Sequence, residues 1–528
     1  MPGKQPGAQR RRRWAPKVKT GCLTCRSRRV KCDENRPSCT RCTSARRRCE
    51  GYDRNPWSTS AAAFHRQPTN GMTPIYAQAT PQEKHLFHVF CAETAGQVSA
   101  GFDSTFWSVD VPQACQLHPA IWHSALAIAS AQMTQMTWTM GGSSTQHHDD
   151  VGFKQYTKAI GHLVQATQKT DPSFDEQSLI LMATVLLLGF ASLRGNFNQV
   201  QFFARHGLEL FAKWDFGERA KRQQQSLRSN VLSVRSLISL LDNLFVQYSW
   251  ACPAANPPKH AQSSPATTSP KTPFTNITEA YHEYQALQIA HLEALRAQAL
   301  GSTNGDWQPF RDIRQAWLRR LSACKAKLLQ ARREGGHESK SWLMLQVGLL
   351  GLQVCFQGKA IANELYWDKL IPKLRRIVDI AEQVFERPKT HAERVPAAVF
   401  HFAPSPLGIL YMVASACREY ATRTRAIALL RRMQQRDGLL DSGLFACLSE
   451  AKMRIEATGR DLVGLTEPKR CTCIPEEYVC GHHRVRDVGI EFLERGLVRL
   501  NFESFDGGAR PEGMKSLTVH CNGNWCKR

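Results

Sequence analysis

The sequence predicts a mostly α-helical protein with a small cysteine-rich module at its N-terminus. Two features predict it. Six cysteines stand at a doubled, regular spacing within residues 22–49, and apolar residues recur at three- and four-residue intervals from Pro81 to Ile455. Such recurrence lines one face of an α-helix, whereas the period-two alternation of strands is confined to the tail. At 528 residues the chain exceeds one ordinary core and is expected to form several folded units.

Composition sets the expected organisation. Residues 1–20 form a basic arm, 21–52 a compact Cys/Arg module, and 53–80 a linker with Pro56, Pro68 and Pro74 among Ser, Thr, Ala and Gly. Residues 81–460 form a large helical region. Helices are expected from Glu83 to Thr94, Ile121 to Met136, Phe153 to Thr167, Leu179 to Leu193, Gln199 to Phe211 and Val231 to Tyr248. A proline-rich loop at 252–275 interrupts the pattern. It resumes from Tyr284 to Leu300, Trp307 to Arg333, Trp342 to Phe356, Leu365 to Phe385, Leu407 to Gln434 and Leu444 to Ile455. In the tail, residues 461–528, Val485 to Phe492 and Leu497 to Phe502 alternate around a Glu-Arg-Gly turn and predict a small β-hairpin.

The apolar run from Leu179 to Leu193 includes Thr184, Gly189 and Ser192 and falls short of the roughly 20 residues a bilayer span needs, so it reads as a buried helix and no membrane partner is expected. No secretory signal is readable after Met1, and the eighteen cysteines are expected as thiols or metal ligands rather than disulfides. The net charge of +24 is concentrated: residues 1–54 hold seventeen Lys or Arg against four Asp or Glu, a balance of +13, which leaves +11 for the rest. Half the excess in a tenth of the chain points to a polyanion partner, nucleic acid ahead of anionic membrane.

The chemistry lies in Cys22-x2-Cys25-x6-Cys32-x6-Cys39-x2-Cys42-x6-Cys49, where the last three cysteines repeat the first three at an offset of seventeen residues. Zinc favours thiolate sulfur, closes structural sites with four ligands, and is gripped within a tight turn by a C-x2-C pair. Six thiolates serve two zinc ions only if two of them bridge. The competing reading, one four-cysteine finger of Cys22, Cys25, Cys39 and Cys42, leaves Cys32 and Cys49 idle although they complete the same spacing in each half.

Lys19 through Asp33, with Pro37, Cys39, Cys42, Cys49, Gly51 and Tyr52, closely resembles the fungal zinc binuclear cluster (Zn(2)-Cys(6)) transcription factors over about residues 19–52. The resemblance implies two zinc ions bridged by Cys22 and Cys39, one completed by Cys25 and Cys32 and the other by Cys42 and Cys49. It implies two short helices with a turn at Pro37, and base readout of CGG-like triplets by Arg28 and Arg29. Arg26, Lys31, Arg41, Arg46, Arg47 and Arg48 are expected on phosphates, which position a module without reading sequence. The forked guanidinium suits guanine O6 and N7 in the major groove.

Further along, Glu93-Thr94-Ala95, Phe102-Asp103, Phe106-Trp107 and Pro112-Gln113 resemble the helical regulatory domain that often follows this cluster, which implies regulation and contact with coactivators or the transcription machinery. The expected function is thus transcription regulation of RNA polymerase II genes in the nucleus, for a metabolic or biosynthetic gene set, through double-stranded DNA. The alternative is a helical enzyme with an appended nucleic-acid-binding zinc module, but no zincin, nucleophile-elbow, phosphate-loop or dinucleotide motif is present, and no enzyme is expected. Residues 53–80 carry no heptads, so a homodimer would pair through the helical region. Cys471-x-Cys473-x6-Cys480-x-His482-His483 matches no standard zinc spacing. Reduced surface thiols are expected there, with a third metal site as the alternative.

Overall fold

The computed structural model describes residues 22, 24–25, 28, 30–35, 38–45, 47, 49, 75–99, 105–139, 145–226, 234–251, 277–299, 315, 340–355, 363–385, 400–402, 405–458, 473–474, 477–493, 497–506 and 510–520. The chain divides into two compact units, Met1–Met72 and Thr73–Arg528. In the first, the described regular element is helix α1 (Thr40–Ser44).

The larger unit opens earlier than Pro81. A single turn, Ile75–Gln78, docks by the Ile75 N–H to the Gln116 carbonyl at 3.1 Å and by Tyr76 against Phe87 and Trp122, ring centroids 5.9 and 6.3 Å away. The end of the expected linker is therefore packed protein; the remainder lies outside the described residues. Helix α2 (Pro81–Val89) starts on a reciprocal cap: the Glu83 N–H donates to Thr80 Oγ1 at 3.3 Å, and the Thr80 N–H to Glu83 Oε2 at 3.1 Å.

Around it pack α3 (Pro119–Thr139), α4 (Thr145–Thr167), α5 (Phe174–Leu193), α6 (Phe197–Lys213), α7 (Phe216–Ser226) and α8 (Val234–Ala251). Their core includes Phe90, Trp107, Trp122, Phe190, Phe211 and Phe245, each at most 1% exposed. Helix α5 starts on a second capping box, Ser173 with Glu176, and 89% of its apolar window is buried inside protein, as the sequence expects of a core helix.

Helix α9 (Ile277–Ala299) leads to a second core, formed by α10 (Lys340–Cys355), a 3-10 segment Glu364–Leu370, α11 (Ile371–Val384), α12 (Leu407–Ala416), α13 (Tyr420–Met433) and α14 (Ser442–Thr458). Two-residue strands β1 (Phe400–His401), β2 (Arg436–Asp437) and β3 (Leu440–Asp441) tie the two cores. Phe402 stacks on Trp107 at 5.8 Å, and Arg436 Nη1 donates to the Leu193 carbonyl at 2.6 Å, closing the C-terminus of α5. Gly438 turns between β2 and β3 at φ +54°, hard against Gln247, where a side chain is strained and crowded.

Two expectations change. The expected helix from Leu407 to Gln434 is broken, with Cys417 and Glu419 in extended conformation, because Arg418 between them turns inward into a buried ion cluster. The expected hairpin is a three-stranded antiparallel sheet, β4 (Val485–Phe492), β5 (Leu497–Asp506) and β6 (Arg510–His520) in that order. Its Val498 and Leu500 complete the second core, so these strands pack with the helices. The expected helix from Trp307 to Arg333 and the loop at 252–275 lie outside the described residues, Gln315 apart.

Candidate metal centre

Cys22, Cys25, Cys39 and Cys42 are fully buried around one point. The Cys22 sulfur stands 3.6 Å from Cys39 and 3.8 Å from Cys42, and the Cys25 sulfur 3.7 Å from Cys39 and 3.8 Å from Cys42. Sulfurs bound at about 2.3 Å to a tetrahedral zinc are about 3.8 Å apart, so the donor set fits zinc. Four sulfurs alone would fill a single site, but the other two cysteines are not idle. Cys32 and Cys49 are half-buried against the four: the Cys22 N–H donates to Cys32 Sγ at 3.4 Å, and sulfur contacts join Cys25 to Cys32 and Cys22 to Cys49.

Local backbone geometry explains the gathering. In each C-x2-C pair the second cysteine's N–H donates to the first sulfur at 3.3 Å, Cys25 to Cys22 and Cys42 to Cys39, and the Cys39 sulfur thereby caps α1. The two halves are clasped by Asp33. Its carboxylate accepts the Thr40 N–H at 2.9 Å, the Arg41 N–H at 3.2 Å and the Thr40 hydroxyl, and the Thr40 hydroxyl bond leads in holding its pKa well below the usual carboxylate range. Sequence reading passed over Asp33; the signal was an Asp one residue past a ligand and seven before a Thr that opens a helix.

Burial pushes the Cys22 thiol up to about 12 and raises Cys25 and Cys39 as well. The metal-free module therefore holds protonated thiols, and metal entry must release those protons.

Of the expected DNA contacts, Arg28, Lys31, Arg41 and Arg47 are exposed on this unit. Arg28 is held by its N–H on the Thr24 carbonyl at 3.3 Å, and Arg47 by its N–H on the Cys42 carbonyl at 2.9 Å. Arg26, Arg29, Arg46, Arg48 and Pro37 lie outside the described residues.

A second cluster lies in the tail. Cys473, Cys480 and His483 bring their donor atoms within 4.8 Å of one another. Cys480 is 2% exposed, so the expectation of surface thiols is wrong for it. The reason is a tight turn, in which Ile474 and Tyr478 exchange backbone hydrogen bonds at 3.0 and 2.9 Å and fold the two cysteines together.

An N-terminal unit built on six mutually packed thiols with exposed basic side chains is a metal-cluster module. Residues 20–57 match the family model of the fungal Zn(2)-Cys(6) binuclear cluster domain. An uncharacterized transcriptional regulatory protein of Schizosaccharomyces pombe is 32% identical over 134 residues, 22% of this chain and 24% of its own. An aspercryptin biosynthesis cluster-specific transcription regulator of Emericella nidulans is 28% identical over 235 residues, 38% of this chain and 36% of its own. A Zn(2)-C6 fungal-type transcription factor of Aspergillus fumigatus is 28% identical over 159 residues, 29% of this chain and 42% of its own. The chain thus spans less than half the length of each of these relatives. No solved structure matches it.

Proposed function

We propose that this chain is a sequence-specific DNA-binding transcription regulator acting in the nucleus on RNA polymerase II genes, and that it is not an enzyme. The observation that carries the reading is the packing of all six N-terminal cysteines into one cluster whose unit also presents Arg28, Lys31, Arg41 and Arg47 to solvent. Two zinc ions are held by Cys22, Cys25, Cys32, Cys39, Cys42 and Cys49, with Cys22 and Cys39 bridging; the 3.6 Å between those two sulfurs suits a shared edge.

Six thiolates and two Zn²⁺ carry a charge of −2, which the basic surplus of residues 1–54 far outweighs. The module is thereby drawn to DNA phosphates and its register fixed by Arg26, Lys31, Arg41, Arg46, Arg47 and Arg48. Arg28 and Arg29 then read CGG-like triplets through bidentate hydrogen bonds to guanine.

In this reading residues 21–52 bind DNA, the helical region 81–460 regulates and meets coactivators, and pairing of two copies runs through that region because residues 53–80 offer no coiled coil. A biosynthetic gene set is the favoured target, since one relative is named as specific to a biosynthesis cluster. Selection of bound duplexes from random DNA with the full chain tests the reading. Enrichment of CGG-like triplets is expected, and a bound pool no different from the input refutes it.

A further inference from the structure

We propose that the C-terminal tail holds a zinc ion of its own, bound by Cys473, Cys480 and His483. His483 Nδ1 lies 2.9 Å from the Cys473 sulfur and 3.9 Å from the Cys480 sulfur. In a tetrahedral zinc site a thiolate sulfur and an imidazole nitrogen are about 3.5 Å apart, given bonds of about 2.3 and 2.0 Å, so the two observed spacings bracket the required one. Two thiols, one of them the buried Cys480, and an imidazole suit zinc over the harder cations that prefer oxygen.

The backbone supports the same conclusion. The Cys480 N–H donates to the Cys473 sulfur at 3.2 Å, the same support that the N-terminal cluster gives Cys22 and Cys39 at 3.3 Å. Such N–H bonds stabilise sulfur in its anionic, metal-binding form. The turn from Ile474 to Tyr478 sets the two sulfurs on one side, and the 3-10 turn Gly481–His483 brings the imidazole back over them.

The position gives the ion a task. Arg484, next in the chain, is fully buried: it donates to the Glu364 carbonyl at 3.0 Å and the Val479 carbonyl at 2.9 Å, and pairs with Asp368 at 2.8 Å. Strand β4 starts at the following residue. A zinc clamp at His483 braces a point where the C-terminal sheet is anchored to the Glu364–Leu370 segment.

The test uses the full chain with Cys22, Cys25, Cys32, Cys39, Cys42 and Cys49 all changed to Ser, which empties the N-terminal cluster. Metal analysis after exhaustive dialysis is expected to find one zinc per chain. His483→Ala in that background should lose it, while His483→Cys, which replaces the imidazole by a thiolate and keeps the number of donors, should retain it. Chelation should lower the thermal unfolding midpoint of the parent and leave that of His483→Ala unchanged. A parent chain with no zinc, leaving only a Cys473–His483 hydrogen bond, overturns the proposal, as does zinc that persists after His483→Ala. If His483→Ala fails to fold, the zinc content and cobalt spectrum of the parent decide the matter: a thiolate-to-cobalt charge-transfer band is expected, and its absence overturns the site.

Discussion

Replacing Glu456 by Gln should destabilise the helical unit by about 3–5 kcal/mol. Glu456 is 1% exposed, and its carboxylate accepts from Arg418 at 2.8 Å, from Arg423 at 2.5 Å, and from the backbone N–H of Val485 at 3.1 Å, tying α14 to the break between α12 and α13 and to the start of β4. Arg418 also pairs with Glu364 at 2.9 Å, and Lys452 with Asp487 at 2.9 Å. Three buried cations thus face the buried carboxylates of Glu364 and Glu456 and the part-buried carboxylate of Asp487, and the Gln variant leaves one positive charge uncompensated.

A second route gives a similar magnitude. Burial would raise the Glu456 pKa, but Arg418, Arg423 and Lys452 outweigh it and hold the pKa at about 2. Against an unfolded value of about 4.3 the difference is worth roughly 3 kcal/mol. Because the folded pKa is the lower one, this stabilisation is fully present above about pH 4.3 and is lost as pH falls towards 2. Guanidinium unfolding at pH 7, followed by far-ultraviolet circular dichroism at constant zinc, measures the loss, and the gap between parent and variant should close below pH 4. Combining Glu456→Gln with Arg423→Met removes one charge of each sign and should recover part of it. A loss under about 1 kcal/mol, or a double variant less stable than the single one, would refute the reasoning.

Two further outcomes concern the cluster and its DNA contacts. If Cys22 bridges as proposed, Cys22→Ala should reduce zinc at both N-terminal sites, whereas Cys25→Ala should reduce mainly one; equal losses in metal analysis would argue against the bridge. Arg29→Ala should flatten discrimination among triplets by roughly 1–3 kcal/mol, while Arg47→Ala should weaken specific and random DNA alike and lower the salt slope by about one. Equal losses on both DNAs for both variants would remove that division of labour.

Much of the fold was legible because it rests on local signals. The apolar stripes of α3 to α6 are written in neighbouring residues, and the structure forms helices there. What escaped depends on partners distant in sequence. The break at Arg418 is invisible without Glu364 and Glu456, because an arginine in an apolar helical pattern reads as a solvated face until its buried carboxylates are known. Strand β6 mixes Pro511, Gly513 and Lys515 into its pattern and earns its place by pairing along β5. The gathering of the six N-terminal cysteines was legible because metal chemistry imposes its own spacing on a chain. In the tail, the irregular spacing hid a gathering that the turn at Ile474 and the 3-10 turn Gly481–His483 produce together.

The most direct test of the central claim is zinc-dependent, sequence-selective DNA binding by the full chain, read by fluorescence anisotropy on a CGG-containing duplex and a scrambled control while zinc is removed and titrated back. Preferential binding to the CGG duplex should vanish on chelation and return as the N-terminal cluster takes up two zinc ions. Selective binding by the metal-free chain, or full recovery with a single ion in that cluster, would contradict it.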